Sequence, residues 1–237
     1  MADARDDTEI FWVEPRRRAI LPLDGFRLSR SLARTLRRER FSVTCNTAFA
    51  QVMQACAAPR KDSAETWISD RIEASYVDLH EAGHAHSLEC WQHGELVGGL
   101  YGVGFDRVFC GESMFSHVPD ASKVALAWLV AALRLGGVTL LDCQFMTDHL
   151  ASLGAIEIPQ SDYLELLRAA QVSTDGFGSA FSTGLGASGL GAPGLDEGEG
   201  AALPLALPEG FAALLAAAAG TSSSPGNFIA QSLTQTS

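Results

Sequence analysis

The sequence predicts an α/β (α+β) fold, a mixed and half-open sheet flanked by helices. Three observations carry this. Residues 84–92, 95–103 and 108–115 read as three successive strands, the first two joined by the tight turn His93-Gly94, so an antiparallel meander is expected. Residues 120–135 then show a broad apolar helical face closed by Gly136-Gly137. The short apolar run 138–144 follows, and a helix of that length is the crossover a parallel strand requires.

The remaining elements fall in order around this centre. Residues 1–10 are acidic and polar, and 11–23 form a basic, Pro-flanked segment containing Arg16, Arg17 and Arg18. Ser29 is an N-cap for a helix to about residue 38, on which Arg30, Arg34, Arg37 and Arg38 share one face. Asn46 is read as the cap of a second helix ending at Cys56. A third helix is predicted over 66–81, with Trp67, Ile68, Ile72, Tyr76 and Leu79 at helical spacing and Gly83 as its stop. After the parallel strand come a helix at 148–153, a last strand at 154–158 and a helix at 161–170. From residue 171 the chain turns Gly/Ala-rich and loses every Lys and Arg, so disorder is expected to about residue 203. A short helix over 205–219 and a docked segment at 227–232 complete the expectation. The domain reading is thus a short N-terminal segment (1–22), a catalytic domain (23–170) and a largely disordered tail (171–237).

Composition narrows the function classes. A chain of 237 residues with a 47% apolar fraction can bury a full core. No apolar stretch suits a bilayer and the charged N-terminus has no signal-type core, so a cytoplasmic, monomeric protein without membrane contact is expected. Five cysteines without CxxC spacing point to reduced thiols. The net charge of −11 is unevenly spread: 12 of 17 Lys/Arg lie in residues 1–61, against seven acids, and 21 acids against five bases follow. Such a chain is fit to meet an anion at one end and a cation at the other. Nine arginines against two acids across 16–40 make RNA-backbone binding as good a reading as a solvated helix face.

The chemistry concentrates in Glu112, Asp142 and Gln144. Each acid interrupts an apolar run, where a charge is costly unless paired or used. Asp142 and Gln144 are two apart and share a strand face, and Glu112 precedes them by one crossover. The histidines His80, His84 and His86 lack metal-ligand spacing, so no metal is expected. A coenzyme A site needs a Gly-rich turn before the central helix, but the junction His117-Val118-Pro119-Asp120-Ala121-Ser122-Lys123 has no glycine. No cofactor is expected.

Several blocks then carry a resemblance. They are Phe11-Trp12 with Arg18-Ala19-Ile20-Leu21, Ser29-Arg30-Ser31-Leu32, Thr66-Trp67-Ile68, and the run from Leu79 through Glu89 (Leu-His-Glu-Ala-Gly-His-Ala-His-Ser-Leu-Glu). The run from Leu96 through Val103, Gly111-Glu112-Ser113-Met114-Phe115-Ser116, Asp142-Cys143-Gln144 and the run from His149 through Ala155 follow in order. Over about residues 11–167 the chain resembles leucyl/phenylalanyl-tRNA–protein transferases. The resemblance implies an acetyltransferase-like (GNAT-type) domain that uses no coenzyme A. It implies transfer of Leu or Phe, and by extension Met, from aminoacyl-tRNA to proteins with N-terminal Arg or Lys, which marks them for N-degron degradation. It also implies residue roles. Asp142 and Gln144 orient the attacking amine and relay its proton, and Glu112 holds the acceptor. Leu100, Phe109, Leu129, Leu133 and Leu141 form the amino-acid pocket, Trp67 and Tyr76 contact adenosine, and the Arg30/Arg34/Arg37/Arg38 face takes tRNA. The family's Leu-Ala-x-Gly-Gly-Asp and Gly-x-Phe-Pro-Trp blocks are absent here, and Leu129 and Leu133 stand where aromatic residues are also found. The competing readings are a coenzyme A-dependent N-acetyltransferase of the same fold and a tRNA-binding protein without catalysis.

Overall fold

A computed structural model describes residues 13–59, 66–171 and 207–234. Seven strands form one mixed sheet: β1 (Arg17–Ile20), β2 (Ser42–Cys45), β3 (Ala85–Gln92), β4 (Glu95–Phe105), β5 (Val108–Ser116), β6 (Leu140–Gln144) and β7 (Ile156–Pro159). Their order across the sheet is β2-β3-β4-β5-β6-β1-β7. Only β5 and β6 pair in parallel. The helix between them, α4 after α1 (Arg30–Arg37), α2 (Phe49–Ala57) and α3 (Asp70–Glu81), spans Ala121–Leu135 and supplies the expected crossover. The chain continues through α5 (Asp148–Ser152), α6 (Gln160–Ala170), α7 (Leu207–Gly220) and α8 (Pro225–Ser232).

The two faces of the sheet are covered differently. On one face α4 lies at the centre with twelve of its fifteen residues buried, because it is packed on both sides. Leu88, Cys90, Leu100, Phe109 and Leu141 of the strands join Leu32 and Leu36 of α1, Phe211 and Leu214 of α7, and Ile229 of α8 in one cluster around it. On the opposite face there are two separate clusters. One joins α2 and α3 to Tyr101 and Phe115, and the other joins Tyr163 of α6 to Ile20, Val108 and Leu140. Polar side chains fill the space between them.

Local sequence explains the element ends. Ser29 caps α1 by accepting from Leu32 N at 3.2 Å, and Ser69 caps α3 through Ile72 N. The His93-Gly94 turn has positive φ at both residues, +54° and +81°, which is the two-residue hairpin geometry that matches strand twist. α7 and α8 sit very close to the core because Gly210 faces the Ala132 carbonyl and Gly226 the Leu36 carbonyl. A Cβ at either position would collide with those oxygens.

Several expectations need correction. The segment 11–23 contains a strand: β1 is inserted antiparallel between β6 and β7, pairing Ile20 with Asp142 and Ala19 with Glu157. A domain boundary at residue 22 therefore cuts through the sheet. β2, a run of β-branched and small residues, escaped the sequence reading. Asn46 does not cap α2. With φ +56° its amide oxygen accepts from Ser87 N at 3.0 Å, and α2 starts at Phe49 after the uncapped Ala48. α3 begins at Asp70, so Trp67 precedes the helix. By contrast, the short helix expected over 205–219 is present as α7 and the docked segment expected at 227–232 as α8, and both complete the α4-side core. The expected disorder at 171–203 lies outside the described residues from 172 onward.

Candidate active site

The site forms where β5 and β6 separate. Their parallel pairing ends at Cys110–Asp142, yet β5 runs on to Ser116 alongside β4. Gln144 spans the opening. Its backbone adopts φ +63°, a left-handed turn at the last residue of β6, and this costs about 1 kcal/mol for a residue with a Cβ. The turn carries the side chain across, so that Nε2 donates to Gly111 O at 3.2 Å and to Glu112 Oε2 at 2.7 Å. The Tyr76 hydroxyl of α3 hydrogen-bonds the same carboxylate. Burial pushes the Glu112 carboxyl above the usual carboxylate range, while the bonds from Gln144 and Tyr76 pull it back.

Asp142 lies beneath this pair. It is 0% exposed and its oxygens are fully engaged. Arg18 of β1 places Nε 3.1 Å from both oxygens and Nη2 2.6 Å from Oδ2. The Tyr163 hydroxyl of α6 donates to Oδ2 at 3.0 Å, and Gln144 N donates to Oδ1 at 2.8 Å. Two oxygens offer roughly four lone-pair sites, and these donors occupy them. Asp142 is thus a buried anchor with no oxygen left for an incoming amine. The Arg18 guanidinium also lies over the Tyr163 ring, 5.0 Å from its centroid. The Cys110 thiol nearby is raised by burial and by both acids, so it is a poor nucleophile.

Gln144 has the complementary property. Both Nε2 hydrogens are used, and Oε1 has no hydrogen-bond partner among the described residues. A carbonyl oxygen beside a carboxylate, at a strand opening, is suited to accept N–H from an amine.

The other expected site residues separate by face. Tyr76 packs edge-on against Tyr101, with centroids 5.2 Å apart, and Trp67 rests partly buried against the same cluster, both on the Glu112 side. Leu100, Phe109, Leu129, Leu133 and Leu141 come together on the α4 side, each at most 3% exposed, as closed core. Met114, Cys143 and Met146 are the half-buried apolar residues of that face nearest the opening, and the sequence reading did not single them out. Arg30, Arg34, Arg37 and Arg38 are all exposed on α1, which packs in the α4 layer. Arg18 and Tyr163 were missed as site residues. The one available signal was an arginine inside the apolar Arg-Ala-Ile-Leu run. Among the described residues, no group of three or more His, Cys, Asp or Glu is placed to hold a metal, and no helix is long and apolar enough to cross a membrane.

A mixed α/β domain that positions an acid–amide pair over an open strand junction has groups suited to orient an amine, and comparison with known proteins supplies the class, a transferase. Residues 20–168 match the model of the leucyl/phenylalanyl-tRNA protein transferase family. A leucyl/phenylalanyl-tRNA–protein transferase from Novosphingobium aromaticivorans is 65% identical over 100% of this chain and 91% of its own length. One from Rhizorhabdus wittichii is 59% identical over 76% of this chain and 73% of its own. The chain belongs to the leucyl/phenylalanyl-tRNA–protein transferase family. α7 and α8 lie beyond the residues the family model matches, while the Novosphingobium relative aligns along the whole chain.

Proposed function

We propose that this chain transfers Leu or Phe, with Met as a weaker donor, from aminoacyl-tRNA to the N-terminal Arg or Lys of acceptor proteins in the cytoplasm, so marking them for N-degron degradation. The observation that carries the reading is the Gln144–Glu112 pair across the β5/β6 opening, together with the names of the relatives. An aminoacyl ester is already activated, so the protein has only to position an amine and manage its proton. The acceptor's α-amine attacks the ester carbonyl. A C–N bond forms, the bond to the tRNA ribose oxygen breaks, and the proton that leaves the amine is balanced by one taken up by that oxygen, which departs as the ribose hydroxyl. With an amine pKa of roughly 8, a weak acceptor suffices to orient that proton. Gln144 Oε1 fills this role, and Glu112 carries the negative charge that attracts the cationic end of the acceptor. Asp142, expected from the resemblance to act on the amine, instead supports Gln144 from below.

The remaining assignments follow the two faces. The opening connects Glu112 to the apolar side, so a Leu or Phe side chain entering past Met114 and Met146 meets Phe109, Leu141 and Leu100 beneath. Trp67 and Tyr76 border the Glu112 side as aromatic surfaces for the terminal adenosine. The exposed Arg30/Arg34/Arg37/Arg38 row serves the tRNA backbone, whose phosphates reward charge without sequence. The acetyltransferase-like description rests on the crossover and the opened strand pair. The absence of glycine between His117 and Lys123 favours a donor other than coenzyme A. A transfer assay tests the whole. Labelled Leu or Phe from charged tRNA is expected to appear on an Arg-starting peptide and not on an Ala-starting one. Acetyl transfer from acetyl-coenzyme A, with no aminoacyl transfer, would overturn the proposal.

A further inference from the structure

The groups surrounding Asp142 come from three distant parts of the chain, and their arrangement has a direction. Arg18 comes from β1, Tyr163 from α6, and both act on a carboxylate whose remaining oxygen bond goes to the backbone N–H of Gln144. That N–H belongs to the residue held at φ +63°. Without a fixed acceptor, the left-handed turn would relax toward extended strand, because a residue with a Cβ gains about 1 kcal/mol by leaving that region. Such a change in φ re-aims the Cα–Cβ bond of Gln144, and the side chain would lose the direction that now brings Nε2 to Gly111 O and Glu112 Oε2.

We infer that Arg18 and Tyr163 are positioning residues for transfer: they clamp Asp142 so that its Oδ1 holds Gln144 in the turn that aims the amide across the β5/β6 opening. This rests on the proposed role of Gln144 and Glu112 and adds two residues from outside that pair. The clamp is specific in shape. A guanidinium supplies parallel donors to a carboxylate where an ammonium supplies a point charge, so Arg18→Lys is not conservative here. The ring of Tyr163 also braces the guanidinium, which leaves the hydroxyl as the separable part of its contribution.

Steady-state transfer from Phe-tRNA to an Arg-starting peptide, with melting temperature measured on the same full-length preparations, tests this. Tyr163→Phe, which keeps the ring, is expected to lower kcat by about three- to tenfold, the effect of one lost hydrogen bond. Arg18→Lys should lower it by roughly tenfold or more, as for a charge-assisted pair. KM for peptide and affinity for aminoacyl-tRNA should stay near wild type, since neither residue meets substrate. Guanidinium ion below denaturing concentration should restore part of the Arg18→Ala rate, because the Arg18 side chain is 21% exposed and its removal opens a path to Asp142. Combining Tyr163→Phe with Asp142→Asn should cost little more than Asp142→Asn alone, as for groups acting through one carboxylate. Unchanged kcat in Tyr163→Phe and Arg18→Lys would overturn the inference. So would losses that multiply with that of Asp142→Asn or simply follow melting temperature. Gln144→Ala keeps the two ideas apart. If it abolishes transfer while the Arg18 and Tyr163 variants transfer at the wild-type rate, the positioning inference fails and the proposed function stands. If Gln144→Ala transfers at the wild-type rate, the reading of the site itself has failed.

Discussion

The two faces of this sheet solve opposite problems. The α4 face is one continuous apolar cluster to which distant segments, including α7 and α8, contribute. The other face holds two smaller clusters, with Glu112, Gln144, Asp142 and Arg18 between them and Tyr76 and Tyr163 at their edges. A core that is interrupted loses burial, and buried acids cost more still unless they are paired. The chain interrupts its core at the point where β5 and β6 part. The fully buried acids on this face are each bonded: Asp142 to Arg18 and Tyr163, and Glu89 of β3 to the Thr44 and Ser87 hydroxyls. The comparison teaches where stability and chemistry reside: removing bulk from the α4 face should cost stability first, and disturbing the polar face should cost turnover first.

The largest expected effect is on the polar face. Asp142→Ala removes the acceptor of four donors and leaves Arg18 without its partner. Stability should fall by ~3 kcal/mol or more, the usual consequence of breaking a buried pair, and transfer by roughly 10²–10⁴. Chemical denaturation and a transfer assay on the same sample separate the two losses. Wild-type turnover in this variant would detach Asp142 from the reaction.

The converse case is Phe109→Ala on the α4 face, where the ring is fully buried. A cavity of that kind costs about 3–5 kcal/mol, read as a lowered denaturation midpoint with unchanged slope. If the side chain also borders the amino-acid pocket, the Leu-over-Val donor preference should erode while affinity for uncharged tRNA holds, since a methylene is worth only ~1–3 kcal/mol of discrimination. A loss of tRNA binding with intact donor ranking would move Phe109 out of the pocket.

The faces should also titrate with opposite sign. His86 projects from β3 on the Leu88 side. Asn46 Oδ1 accepts from Ser87 N, so Nδ2 donates to His86 Nδ1 and the ring proton sits on Nε2. Burial pushes the ring down from 6.5 to about 4. A lowered base binds fewer protons folded than unfolded, so its contribution is present above pH 6.5 and lost as pH falls toward 4, about 3 kcal/mol in all. Glu112 is raised above 4.5 by burial. Its contribution is full below pH 4.5 and is lost as pH climbs through the raised value. Unfolding free energies measured across pH should therefore lose their acid decline in His86→Gln and lose a neutral-side decline in Glu112→Gln. Parallel curves for wild type and both variants would contradict the assignment of faces.

The smallest expected effect lies at the surface. Arg34→Ala with Arg37→Ala should weaken tRNA binding alike for any charged tRNA and reduce the salt slope by ~1 per arginine. An unchanged slope would return α1 to an ordinary solvated helix.

The elements that periodicity governs were legible. α4, the β3–β4 hairpin and the Ser29 cap follow from local residues, and the acids Glu112 and Asp142 stood out because charge is improbable in an apolar strand. The contacts that give them meaning were not legible. Arg18 looked like one of three surface arginines because nothing local tells a strand residue facing Asp142, 124 positions away, from a basic linker. Asn46 has the composition of a helix cap, but a tertiary bond to Ser87 claimed it. The pairing of Gln144 with Glu112 depends on a left-handed turn that a strand pattern does not foresee, and α7 depends on a glycine meeting a carbonyl of another helix.

The most direct test of the account is the rate of Phe transfer from Phe-tRNA to an Arg-starting peptide by Gln144→Ala, measured beside its Phe-tRNA affinity and melting temperature. The account predicts a fall of roughly 10² or more, the range for a positioned proton-handling group, with affinity and melting temperature close to wild type. Transfer at the wild-type rate would contradict it, and would place the chemistry somewhere other than the opening between β5 and β6.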